Sequence, residues 1–183
     1  MGFLFILKTA LLLFQKMNFD KPHNSMRGQF AYELYERMAK DDKIWLVVGD
    51  LGFGMFDRIR DDFPDRAISV GAAEQAGVGI CVGLALQGKI PFFYSITNFS
   101  LYRPFEFIRN YMNYEHVPVK ILGAGRDKDY KDDGITHQSE DARVILDTMP
   151  EIVQMWPQEN DEIKMTLDDA INNQRPTFIS LRR

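Results

Sequence analysis

From residue 25 onward the chain alternates between two hydrophobic rhythms. "SMRGQFAYELYERMAKDD" places Phe30, Leu34, Tyr35 and Met38 at the spacing of one buried helix face, with Ser25 as the candidate cap. "KIWLVVGD" follows as a short β-branched run ending in Gly and Asp, the pattern of a buried strand running into a loop. Runs of the same kind recur as "DRAISVG", "KIPFFYSI", "VPVKILGAG", "EIVQMW" and the closing "RPTFISLRR". Between them, helical stretches are predicted over 72–86, 99–114, 139–147 and 161–172. Such alternation predicts an α/β fold, a doubly wound, mostly parallel sheet with helices on both faces. Ligands in these sheets bind beyond the carboxyl ends of the strands. The segments expected there are "VVGDLGFG", "SVGAAEQ", "SITNFSLY" and "GAGRDKDYKDDGITHQ".

One stretch departs from the alternation of apolar and charged positions. In "SVGAAEQAGVGICVGLALQG", Glu74 is the only charged side chain between Arg66 and Lys89. A solvated helix face would carry several charges, and a buried helix normally carries none, because an unpaired carboxylate out of water costs several kcal/mol. Gly77, Gly79 and Gly83 each cost about 1 kcal/mol against alanine in a helix interior, so close approach of another backbone or helix is expected there. A tightly packed helix start would hold Glu74 in a dry site. A carboxyl group so placed suits hydrogen bonding to a basic ring nitrogen, or general acid/base work. The plainer alternative is a first-turn glutamate favoured by the helix dipole.

Composition narrows the setting. A chain of 183 residues, 45% hydrophobic and 26% charged, suits one domain with a real core. The net charge of −4, with no basic cluster beyond Arg182 and Arg183, argues against a nucleic-acid surface. Cys81 is the single cysteine, which excludes an internal disulfide; it reads as a small buried hydrophobe in a cytoplasmic protein. Residues 1–24 are expected to be an apolar leader and loop, interrupted by Lys8 and too short to span a membrane, with the domain at 25–183. No GxxxxGK[ST] loop is present, and "GVGICVG" lies within a helix rather than opening one, so a dinucleotide site is rejected.

The stretch from Ser69 to Met112, followed by "DDGITHQSED", resembles the pyrimidine-binding domain of transketolase-like thiamine diphosphate enzymes, whose transketolases carry "DGPTHQ" at this distance. The resemblance implies that Glu74 hydrogen-bonds the ring nitrogen of the cofactor's aminopyrimidine and so promotes loss of the thiazolium proton. It implies that Phe99 stacks on that ring, that Tyr102 and Ile96 border it, and that Asp50 lies near the cofactor. His137 and Asp133 match substrate contacts, and Arg183 a phosphate contact. Without the resemblance, Phe99 and Tyr102 read as core, Asp50 as turn chemistry, and His137 and Arg183 as solvated.

Departures from the family pattern matter too. Gly54 replaces a phosphate-binding serine, Ile96 replaces an aromatic, and "ILGAGRD" lacks a histidine that transketolases carry. No "GDG…N" diphosphate and magnesium motif is present. The implied protein is therefore the pyrimidine-binding subunit of a split enzyme carrying out ketol transfer on a sugar or sugar phosphate. A separate subunit would hold Mg2+ and the diphosphate of thiamine diphosphate, in a heterodimer or heterotetramer. The rival readings are a component of a 2-oxoacid decarboxylase or dehydrogenase, and a non-catalytic regulatory subunit that retains the fold.

Overall fold

The computed structural model describes residues 24–183, so the expected leader lies outside the described residues, Asn24 excepted. Helix α1 (Met26–Met38) opens where Ser25 Oγ accepts a hydrogen bond from the Gly28 amide at 3.2 Å. Its inner face buries Phe30, Leu34 and Met38, as the spacing predicts. Six strands follow: β1 (Ile44–Val48), β2 (Ala67–Ser69), β3 (Ile90–Ile96), β4 (Lys120–Ala124), β5 (Val153–Met155) and β6 (Thr177–Leu181). Their order is β2-β1-β3-β4-β6-β5, and every pairing is parallel, stricter than the mostly parallel sheet expected. Each parallel neighbour is reached by a crossover, and the crossovers carry the helices.

Those helices are α2 (Asp57–Asp62), α3 (Glu74–Leu86), α4 (Thr97–Leu101), α5 (Phe105–Phe107), α6 (Ala142–Asp147) and α7 (Glu162–Asn172). On one face Phe30, Ile59 and Leu167, from α1, α2 and α7, pack with Phe92 and Tyr94. On the other, Val78 and Cys81 of α3 and Leu146 of α6 pack with Val47, Phe93 and Phe178. Phe92, Phe93 and Tyr94 thus alternate between two cores, which is why β3 reads as an unbroken apolar run. Cys81 is fully buried, and burial pushes its thiol pKa up.

Three expectations are corrected. The single helix over 99–114 is broken: α4 ends at Leu101, and after Pro104 the chain forms α5 and then a π-helix, Ile108–Tyr114. Proline lacks the amide hydrogen that a continuous helix would use there. Helices α3 and α6 begin at Glu74 and Ala142, later than expected, with Ser139 instead bridged to Asp127. The close approach expected at the α3 glycines holds for Gly77, against β3, and for Gly79, against helix α5, but not for Gly83. A Cβ on Gly77 would lie 2.5 Å from the Phe93 ring and one on Gly79 3.0 Å from Phe107, while Gly83 faces open space. Among the described residues, no helix is long and apolar enough to cross a membrane.

Candidate functional site

The carboxyl ends of β1, β3 and β4 lie side by side, with Val48 paired to Tyr94 and Ile96 to Ala124. From β1 the chain passes to β2 on one side and then crosses to β3 on the other, making this the switch point of the sheet. Helix α4 sits here because β4 carries Gly123. A Cβ at that position would stand 2.6 Å from Thr97 Oγ1 and 3.1 Å from Thr97 Cα. With only hydrogen there, Thr97 Oγ1 reaches the Gly125 carbonyl and donates to it at 2.5 Å.

Two further bonds fasten the following loop against α4. Ser139 Oγ donates to the same Gly125 carbonyl at 3.3 Å, and Asn98 Nδ2 donates to the Gln138 carbonyl at 2.6 Å. His137 is thereby set edge-to-face against Phe99, ring centres 5.0 Å apart. Gly125 has φ +80°, and the Tyr130 ring lies 2.1 Å from where its Cβ would be. Tyr130 continues the row at 6.3 Å from His137, and the Arg183 guanidinium lies 5.0 Å over the Tyr130 ring.

At the other end of the row stands Glu74, the first residue of α3 and 3% exposed. The site is dry, as the sequence predicts, and one carboxylate oxygen has a partner from another element. Arg103 Nη1 donates to Oε1 at 2.7 Å, while Oε2 is buried with no partner. The same guanidinium lies over Phe99, its Cζ 3.9 Å from the ring centre. Glu74, Arg103, Phe99, His137, Tyr130 and Arg183 thus form one continuous row of contacts. Sequence reasoning missed Arg103. The available signal was its position four residues after Phe99, the spacing that brings side chains together on a helix.

The other candidates stand on the same edge but outside the row. Tyr102 is half-buried and donates its hydroxyl to the Asp141 carboxylate; burial first, then that bond, raises its pKa. It borders a separate hollow of about 280 Å3 with Asn98, Ile135 and Gln138. Ile96 is half-buried at the end of β3, Asp50 is exposed after β1, and Asp133 is exposed in the turn before Gly134. His137 Nδ1 lies 2.9 Å from Thr136 Oγ1. Among the described residues, no group of three or more His, Cys, Asp or Glu is arranged to hold a metal ion.

A parallel sheet with helices on both faces, and a buried acid and a stacked ring at its switch point, defines an α/β domain with a candidate ligand site there. Comparison narrows that class: residues 23–183 match the family model of the transketolase pyrimidine binding domain, and the chain belongs to this family. It is 29% identical over 159 residues to a 6-deoxy-6-sulfo-D-fructose transketolase subunit of Clostridium sp., covering 86% of this chain and 49% of that protein. It is 31% identical over 156 residues to a 1-deoxy-D-xylulose-5-phosphate synthase of Clostridium perfringens, covering 84% of this chain and 25% of that one. It also superposes on a split gene transketolase, solved as an inactive beta4 tetramer, with a TM-score of 0.76 and 26% identity. That match covers 87% of this chain and 51% of the other.

Proposed function

We propose that this chain is the pyrimidine-binding subunit of a split transketolase-like enzyme that moves a two-carbon ketol unit between sugars or sugar phosphates. A separate subunit holds the diphosphate and Mg2+, in a heterodimer or heterotetramer in the cytoplasm. The observation that carries this reading is Glu74, buried at the switch point with Oε2 unpartnered and the Phe99 ring nearby through Arg103. These residues fit the aminopyrimidine half of thiamine diphosphate: a dry carboxylate oxygen for a ring nitrogen, and a phenyl face for stacking.

Thiamine diphosphate, when bound, would supply a thiazolium carbon that becomes nucleophilic toward carbonyl groups on loss of its proton. Glu74 holds and shares a proton at the ring nitrogen through Oε2. Phe99 orients the ring, Ile96 and Tyr102 border it, and Asp50 stands near it beyond β1. His137, steered against Phe99 by the Gly125 hub, meets substrate together with Asp133, and Arg183 takes its anionic end. Similarity to a transketolase subunit and to a split gene transketolase supports the two-chain arrangement. His137 at the ring supports ketol transfer over oxoacid decarboxylation, and one row holding Glu74, Phe99 and His137 supports an enzyme over a regulatory subunit.

Calorimetry tests the two-chain reading. The isolated chain with Mg2+ is expected to show no micromolar binding of thiamine diphosphate, and binding and ketol transfer are expected to appear once a subunit carrying "GDG…N" is added. Micromolar binding by the chain alone would overturn it.

A further inference from the structure

We propose that Arg103 is a resident stand-in for the cofactor's aminopyrimidine ring, and that the ring enters only as Arg103 leaves. This rests on the reading of Glu74 and Phe99 as the pyrimidine contacts. A guanidinium is flat and delocalised, with N–H donors at its edge and a face that stacks on aromatic rings. Arg103 uses both properties at once: its edge donates to Glu74 Oε1 at 2.7 Å and its face covers Phe99 at 3.9 Å. An aminopyrimidine in the same place makes an equivalent pair of contacts, its ring nitrogen sharing one proton with the Glu74 carboxyl group and its face stacked on the phenyl. At 3.9 Å the guanidinium is already in van der Waals contact with the phenyl, so no second planar group fits between them.

Chemistry explains why such a stand-in belongs here. Without Arg103, Glu74 would be a buried carboxylate with neither oxygen partnered, a costly arrangement. Exchanging one planar partner for another, the guanidinium for a ring nitrogen that shares a proton, keeps the carboxyl group satisfied before and after the cofactor arrives. Arg103 cannot do the ring's work, because a guanidinium does not give up its proton. Departure is easy for the arginine alone: its side chain is 46% exposed, against 3% for Glu74. The guanidinium regains water as it leaves, so the exchange costs little provided the ring takes over the carboxyl group. A seat occupied by its own side chain binds ligand less tightly, its affinity scaled by the fraction of time the seat is empty.

The test uses the isolated full chain and thiamine, which carries the aminopyrimidine without the diphosphate. In the wild type, the Arg103 Nε–H proton is expected to show an upfield ring-current shift by NMR, absent in Phe99→Leu and lost as thiamine is added. Arg103→Met and Arg103→Gln are expected to bind thiamine at least tenfold more tightly than the wild type. Equal or weaker binding by both folded variants would overturn the proposal, weaker binding making Arg103 a positioning residue for Glu74. An Nε–H shift unchanged by Phe99→Leu would overturn it independently of any arginine variant. Tight thiamine diphosphate binding by the unpartnered wild type would instead strike at the two-chain reading, leaving the ratio of variant to wild type to judge Arg103.

Discussion

Glu74→Gln keeps the size of the side chain and most of its hydrogen bonding but removes its capacity to exchange a proton. In the reconstituted complex, hydrogen–deuterium exchange at the thiazolium carbon is expected to slow by several powers of ten; equal rates would refute the relay. Folding is expected to survive, because the amide keeps the shape of the side chain, removes a buried charge and leaves only the half-exposed Arg103 without its ion pair. His137→Ala is expected to lower turnover while cofactor affinity holds, measured by kinetics and calorimetry on one preparation. An equal fall in affinity would show that His137 serves the Phe99 ring it abuts. The oddity of Glu74 was legible in the sequence, because a lone charge in an apolar run is a local property. Its partner was not. Arg103 lies 29 residues away, and their meeting depends on how α4 seats on the sheet.

Helix α4 owes that seat to Gly123. Gly123→Ala would drive a Cβ to within 2.7 Å of Phe178 Cζ as well as into Thr97, and Phe178 is walled in by its core. A loss of about 1–3 kcal/mol is expected for overpacking of this kind, read as a fall in Tm of roughly 2–4 °C for each kcal/mol. An unchanged Tm would mean that α4 slides to make room, and the ring-current signature of Arg103 would then report the slide. The inner strands were legible for a related reason: β1 and β3 are covered on both faces, so "KIWLVV" and "KIPFFYSI" carry uninterrupted apolar runs. The break at Pro104 was misread because helical spacing continues across it, Leu101, Ile108 and Met112 all facing one core. Periodicity records which side is buried, and says little about whether the backbone is continuous.

Over the whole molecule, the two ends of the sheet have different tasks. The carboxyl end gathers the row from Glu74 to Arg183, while at the amino end of β4 lies Lys120, 1% exposed. Its Nζ donates to Asn173 Oδ1 at 2.9 Å and to the Arg175 carbonyl at 2.6 Å, and burial lowers its pKa to about 7. The unfolded chain holds this proton up to about the ordinary lysine value of 10.4, so between these limits it binds more protons than the native state. Stability should therefore rise with pH across that window, by at most about 1.4 kcal/mol per unit from this group, and stay level below pH 7. Urea midpoints from pH 7 to 10 check this, and Lys120→Met is expected to flatten the rise. The parallel fold was legible from the order of apolar runs, whereas the buried amine was not, since "VPVKILG" looks like a strand with one solvated lysine. Cys81 has a practical consequence of its own. The chain's single thiol is sealed beneath α3, so a maleimide dye should leave the native protein unlabelled. Ile135→Cys, at a position 78% exposed beside the row, would then carry the only fluorophore, and its emission would report the arrival of a second subunit without background.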